Sequence, residues 1–266
     1  MKVALISLSR EGAALAFYLK KALPEGEVFL HRQVSWPLPA KRFDSILTLT
    51  KEIFFQYEGL IYVMPAGVAV RSLAPYLHHK TQDPAAVVVD VGGRFAISLL
   101  SGHEGGANDL ALLVGNILGA EPIITTSTEA LKSVIVGIGC RRGAGAEVIM
   151  TAVKTALEES AVGIDQVRYL ASADIKSDEK GLIEAAKRLE VPLRFIASQE
   201  IRTTIKAFEH SEFVKMKVNL PSVAEASALL AGRRTQLILP KKIINGVTIA
   251  IARENFLWSA SVLEDR

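Results

Sequence analysis

The chain has 266 residues, of which 50% are hydrophobic and 22% charged, with a formal net charge of +3 and one cysteine, Cys140. This composition excludes a disordered chain, an internal disulfide framework and a nucleic-acid stripe, because lysines and arginines are interspersed with acids. Mean hydropathy is +0.28, yet the longest apolar runs, such as Ala85–Val89 and Leu110–Val114, fall far short of the ~20 residues a membrane-spanning helix needs.

The length suits two domains rather than one. Met1–Ser7 contains a short apolar run without a small-residue cleavage site, so it reads as a first strand and not an export signal. With a single cysteine, a reducing cytoplasm is the expected location.

In chain order, Val3–Leu8 is a continuous apolar run and reads as a strand. Ser9-Arg10-Glu11-Gly12 then turns into a helix over Ala13–Leu23, whose Ala14, Phe17, Tyr18 and Leu19 have helical spacing. Leu60–Met64 repeats the strand, and Pro65-Ala66-Gly67 leads into a helix reaching Leu77. Val87–Asp90 and Phe95–Leu100 flank Gly92-Gly93, a hairpin-like turn. A helix over Ala107–Leu118 and a strand over Pro122–Thr126 complete a first α/β domain with a mixed sheet, 1–130.

After the polar stretch Thr125–Lys132 the strand pattern restarts at Val134–Ile138. The second α/β domain, 134–255, is expected to hold a helix near Glu147–Glu159, a strand at Val167–Ala171, a helix at Glu179–Leu189 and a strand at Leu193–Ile196. A helix near Ala224–Leu230 and strands at Gln236–Leu239 and Val247–Ala252 finish it. Arg253–Arg266 carries no pairing signal, and 256–266 reads as a tail. The fold class is therefore α/β, with two domains that are each a layered sheet with flanking helices.

The richest stretch is Leu99-Leu100-Ser101-Gly102-His103-Glu104-Gly105-Gly106-Ala107-Asn108-Asp109. It follows a strand and opens a helix, where open α/β sheets bind ligands because strand-end loops and free helix N–H groups converge. A purely structural role is equally open: a flexible turn, Ser101 or Asn108 as the helix cap, and a solvated His103.

These residues also carry a resemblance. Ser101–Asn108 is similar to the signature of the cobalt-precorrin-5A hydrolase family, CbiG. So are Met64–Arg71, Ala74-Pro75, Lys80–Asp90 and Ile123–Glu129 upstream and downstream of it. Gly137–Gly143, Ala171–Leu182 and Pro192-Leu193 resemble the family's carboxy-terminal domain in order. Family members commonly carry a middle segment between the domains, whereas this chain passes from Thr126 to Val134 almost directly, a compact form.

The resemblance implies that water opens the ring-A lactone of cobalt-precorrin-5A and that the meso carbon leaves with its methyl as acetaldehyde, giving cobalt-precorrin-5B. Such chemistry needs a base, oxyanion donors and cations for peripheral carboxylates. His103 is assigned as the base, with Asp90 orienting it. The N–H groups near Gly105 and Gly106 are the oxyanion donors. Arg71, Lys80, Arg141, Arg142 and Lys176 are candidate carboxylate clamps, and Ser101, Asn108 and Gly139 are further substrate contacts.

Gly137-Ile-Gly139-Cys140-Arg141-Arg142-Gly143 has a G-x-G-x-x-x-G spacing, one residue too long for a dinucleotide fingerprint. An anion cradle, or an ordinary tight turn with solvated arginines, suits it better. In Asp174-Ile-Lys176-Ser-Asp178-Glu179, Ser177 or Asp178 is expected to cap the following helix. Cys140 reads either as a nucleophile, its pKa lowered by a helix N-terminus and two arginines, or as a small residue filling the loop. His78 and His79 would point about 100° apart on a helix and make no metal pair. No cofactor and no protein-built metal site is expected, cobalt being carried by the substrate. The expected partner is the cobalt-corrinoid itself, with no nucleic acid and no membrane; self-association and pathway-enzyme contacts are left open. Two alternatives stand beside the hydrolase: a non-catalytic corrinoid-binding or carrier protein, and a phosphate- or nucleotide-binding enzyme using the Gly137 loop.

Overall fold

A computed structural model describes residues 1–203 and 222–255. The chain forms two compact units, Met1–Ser127 and Thr128–Arg266. Each is an α/β layered sheet with flanking helices, the fold class the sequence predicts.

In the first unit, β1 (Val3–Ser7), α1 (Arg10–Ala22), β2 (Glu27–His31), β3 (Lys41–Phe43), α2 (Ile46–Ile53), β4 (Gly59–Val63) and α3 (Ala66–Leu73) come first. They are followed by β5 (Ala85–Val89), β6 (Phe95–Leu100), α4 (Ala107–Leu118) and β7 (Glu121–Ile123). The sheet order is β3-β2-β1-β4-β5-β6-β7. β1 to β5 run parallel to one another, β6 runs antiparallel to β5, and β7 is parallel to β6.

β1, β4 and β5 are apolar at nearly every position because both faces of the sheet are covered. The two-residue alternation of a strand divides them between two cores. Val3, Leu5, Ile61, Val63, Val87 and Val89 face α1 and α4. Ala4, Ile6, Leu60, Tyr62, Ala86 and Val88 face α2 and α3. Fully burying a side chain such as Leu19 or Leu110 contributes about 1.5–3 kcal/mol.

β2, β3 and α2 fall between Leu23 and Leu60, where the sequence reading placed no element. α2 is built from Ile46-Leu47-Thr48-Leu49-Thr50, whose β-branched residues mask its helical spacing. Tertiary burial of Leu49 and Ile53 overrides that weak preference. The helix expected to reach Leu77 stops at Leu73 and gives way to a 3-10 turn over Ala74–Tyr76, because Pro75 has no N–H for a continued ladder.

A short helix, α5 (Ser127–Ala130), spans the division between units. The second unit contains β8 (Val134–Gly139), α6 (Ala146–Glu159), β9 (Val167–Ala173), α7 (Lys180–Leu189), β10 (Leu193–Ile196), α8 (Val223–Leu230), β11 (Thr235–Ile244) and β12 (Val247–Glu254). Its sheet order is β10-β9-β8-β12-β11, with β8, β9 and β10 parallel and β12 and β11 antiparallel. α6 and α7 cover one face through Ile149, Val153, Ala156, Leu182 and Ala185. α8 crosses β8, β9, β11 and β12.

The expected tail begins later than Arg253. β12 continues to Glu254, whose buried carboxylate pairs with Arg168 at 2.6 Å and accepts the Arg233 N–H at 2.7 Å. The rest of that tail, 256–266, lies outside the described residues. Among the described residues no helix is long and apolar enough to cross a membrane.

Candidate functional site

β6 ends at Leu100 and the chain reverses over the six residues Ser101–Gly106 into α4. Ser101 opens the reversal at φ +59°, a left-handed conformation that is uncommon for a residue with a Cβ. The Ser101 carbonyl accepts from the Ala107 N–H at 3.1 Å, the Gly102 carbonyl from Asn108 at 2.9 Å, and the His103 carbonyl from Gly106 at 3.3 Å. The turn closes so tightly that a Cβ on Gly105 would lie 2.2 Å from the Ser101 Cβ. Glycine is therefore a packing requirement there.

Two expected roles change. The residue at the α4 N-cap is Gly106, at φ +83°, and no side chain caps the helix, so neither Ser101 nor Asn108 does so. The Gly106 N–H is engaged by the His103 carbonyl, which leaves the Gly105 N–H as the free donor of the proposed pair among the described residues.

Asn108 is buried and works inside the fold. Its Oδ1 accepts from Ser98 Oγ at 2.8 Å and its Nδ2 donates to Thr126 Oγ1 at 3.1 Å, tying α4 to β6 and to the chain after β7. β5 is antiparallel to β6, so the loop preceding β5 meets the loop following β6. There Lys80 Nζ donates to Glu104 Oε1 at 2.5 Å and holds that exposed carboxyl below its ordinary range. His103 is exposed, and its imidazole makes no hydrogen bond among the described residues.

Asp90 cannot orient His103. Val89 pairs with Ala96 and Ala86 with Leu100, so Asp90 and His103 lie at opposite ends of the β5–β6 pair, about 16 Å apart at ~3.3 Å per residue. Asp90 instead closes its own turn, accepting from the N–H groups of Arg94 and Phe95 at 2.8 Å and Gly92 at 3.2 Å. Burial raises its pKa, but these bonds and the Arg94 side chain outweigh it, and the group titrates below its usual range. Arg71 stands on α3, whose core residues pack on the opposite face of the sheet from those of α4. Its guanidinium returns to the Gly67 carbonyl at 3.2 Å.

In the second unit the parallel strands β8 and β9 bring their following loops side by side. Arg142 Nη1 reaches both Asp178 oxygens at 2.9 Å, and Nη2 reaches the Ile175 carbonyl at 3.0 Å. The Gly143 N–H donates to Glu179 at 3.0 Å, and Lys176 lies 3.7 Å from the same carboxylate. Glu179 occupies the α7 N-cap without a side-chain cap, displacing Ser177 and Asp178 from that role.

A cavity of about 410 Å³ opens beside these loops, with Cys140, Arg141, Ser172, Lys176, Ile243 and Thr248 among its walls. Arg141 is exposed and its side chain has no hydrogen bond or ion pair among the described residues, so its charge is available to an anion. Gly139 lines the same cavity. Gly137 serves packing: a Cβ there would meet the Ala224 carbonyl at 1.9 Å. Burial pushes the Cys140 thiol up, against the pull of Lys176, which reverses the lowered pKa expected for a nucleophile.

Sequence reading missed a large cavity of the first unit. It is about 790 Å³ and runs along β3 and α2, with Phe29, Lys41, Asp44, Glu52 and Tyr57 among its walls. It contains none of the predicted site residues, and its Lys41 and Tyr57 are both already bonded to Glu27.

Residues 48–129 match the family model described as cobalamin synthesis G N-terminal, and residues 134–252 match cobalamin synthesis G C-terminus. The chain is 40% identical over 131 residues to the cobalt-precorrin-5A hydrolase of Salmonella typhimurium strain LT2, covering 48% of this chain and 36% of that protein. It is 44% identical over 94 residues to the cobalt-precorrin-5A hydrolase of Priestia megaterium, covering 35% of this chain and 25% of that one. It thus matches about a third and a quarter of the lengths of these curated relatives. Among solved structures, the cobalamin biosynthesis protein chiG from Agrobacterium tumefaciens strain C58 is 37% identical, covering 46% of this chain and 99% of that one, at a TM-score of 0.40.

Proposed function

The chain belongs to the CbiG family, and we propose that it is a hydrolase of anaerobic cobalamin biosynthesis that opens the ring-A lactone of cobalt-precorrin-5A and releases acetaldehyde. The observation that carries this reading is the loop after β6. An exposed histidine whose imidazole has no hydrogen bond among the described residues stands two residues from a left-handed serine and two from a free glycine N–H, at a strand end inside the region matched by the family's N-terminal model.

In this reading His103 takes the proton from the attacking water and the Gly105 N–H faces the developing oxyanion. Lys80, on the loop that meets the His103 loop, supplies positive charge for a peripheral carboxylate. The hydroxyl freed by lactone opening then loses its proton. Its carbon becomes the aldehyde carbonyl as the carbon–carbon bond breaks, and the electron pair of that bond is protonated on the macrocycle. The reaction proceeds in the cytoplasm without added metal, nicotinamide or nucleotide, since cobalt arrives with the substrate.

Anaerobic incubation with cobalt-precorrin-5A tests this, with acetaldehyde measured in the absence of any cofactor. Release of one acetaldehyde per corrinoid is expected. The limited coverage of the curated relatives favours one second reading, a corrinoid carrier without catalysis. Tight corrinoid binding with no acetaldehyde would select it.

A further inference from the structure

We propose that Ser101 is a catalytic nucleophile that opens the lactone through an acyl-enzyme. This rests on the reading that the chain hydrolyses a lactone, and it replaces direct attack by water with attack in two stages.

Two independent features single out this hydroxyl. Ser101 holds φ +59°, a strained conformation for a residue with a Cβ. Its residue is 8% exposed, and its Oγ is buried with no hydrogen-bond partner. Both features cost stability, and neither is offset by a hydrogen bond.

The setting is a strand, a sharp turn and a helix, the arrangement in which a left-handed residue presents a nucleophilic side chain at a strand end. The turn around it is cut to fit. Gly105 lies against the Ser101 Cβ, and a Cβ on Gly102 would meet Thr126 at 2.8 Å. Because Oγ has no bond to break, packing alone opposes rotation about χ1 toward an incoming substrate. His103, two residues on, serves the same step as base, and the Gly105 N–H as oxyanion donor.

The chemistry balances in two steps. Ser101 Oγ forms a bond to the lactone carbonyl carbon as the ring C–O bond breaks. The Oγ proton passes to His103 and on to the departing alkoxide oxygen, which becomes the hydroxyl. Water then attacks the acyl carbon, the Oγ–C bond breaks, and a proton from that water returns through His103 to Oγ. The net change is lactone plus water to hydroxy acid.

Ser101→Gly is the decisive variant because glycine tolerates the left-handed conformation and no hydrogen bond is lost. Its melting temperature should equal or exceed that of the parent, while acetaldehyde release from cobalt-precorrin-5A should fall by at least ~10²-fold. In parallel, the whole chain is treated with 4-nitrophenyl acetate or a fluorophosphonate probe and mapped by peptide mass spectrometry. One adduct at Ser101 in the parent, absent from Ser101→Gly, is expected. A Ser101→Gly protein that releases acetaldehyde within a few-fold of the parent would overturn the nucleophile, as would a parent that no probe labels at Ser101. A parent labelled at Ser101 that releases no acetaldehyde would keep the nucleophile and defeat the substrate reading.

Discussion

Arg142 and Asp178 are joined by two 2.9 Å contacts across 36 residues of sequence, so one of two adjacent guanidiniums is committed to holding the β8 and β9 loops together. Its neighbour Arg141 is exposed, with no side-chain hydrogen bond or ion pair among the described residues. Treating the pair as one clamp therefore merges two different jobs.

The two can be separated by single substitutions. Arg141→Gln should weaken corrinoid binding roughly 2- to 10-fold at low salt and flatten its salt dependence, with the melting temperature unchanged. Arg142→Gln should leave the salt slope near the parent's and loosen the loops, seen as faster amide exchange in 174–179. Equal salt slopes in all three proteins would remove Arg141 from the binding surface.

The His103 side chain is exposed and has no hydrogen bond among the described residues, so its replacement should leave folding intact. His103→Asn is expected to keep the parent melting temperature and corrinoid affinity while turnover falls by roughly 10²–10⁴-fold, the usual contribution of general acid–base catalysis. Turnover within a few-fold of the parent would exclude His103 as base.

Gly137 and Gly145 belong to the same glycine-rich stretch but have different surroundings. A Cβ at Gly137 would collide with the Ala224 carbonyl at 1.9 Å, whereas one at Gly145 meets nothing within 4 Å. Gly137→Ala should lower unfolding free energy by about 1–3 kcal/mol or more through overpacking beneath α8. Gly145→Ala should change it by less than ~1 kcal/mol, a small N-cap effect. Urea denaturation of both variants measures the contrast.

Tyr62 is buried, with its hydroxyl 3.2 Å from Thr50 Oγ1, and burial pushes its pKa up to about 12. The folded state keeps the phenol proton where the unfolded chain, titrating near ~10, loses it. Stability from this group is complete below pH ~10 and falls as pH rises toward 12. Ultraviolet titration should show one tyrosine ionising well after the exposed ones, and Tyr62→Phe should remove that late step.

Much of the fold was legible locally. β1, β4 and β5 announced themselves as unbroken apolar runs because burial on both faces leaves no polar positions. α4 and β10 appear with the bounds the sequence predicts, Ala107–Leu118 and Leu193–Ile196, because helical spacing, flanking glycine and Pro192 mark their ends. The extension of β11 to Ile244 also had a signal, Asn245-Gly246, whose two positive φ values form the hairpin turn. The Ser101–Asn108 loop was recognisable as a site because a strand, three glycines and a helix are contiguous in the chain.

Only the tertiary structure decided which residues meet. Strand direction set Lys80 beside Glu104 and sent Asp90 to the far end of β5, a consequence of the antiparallel β5–β6 pairing that residue types do not encode. Through-space neighbours turned Arg142 into a loop tie, Gly137 into a helix seat and Asn108 into an internal bracket. The left-handed backbone and unpartnered hydroxyl of Ser101 likewise arise from how tightly Gly105 closes over it, which is a property of packing and not of spacing. Sequence patterns report periodicity along one chain segment, while a site is made where segments far apart in the chain converge.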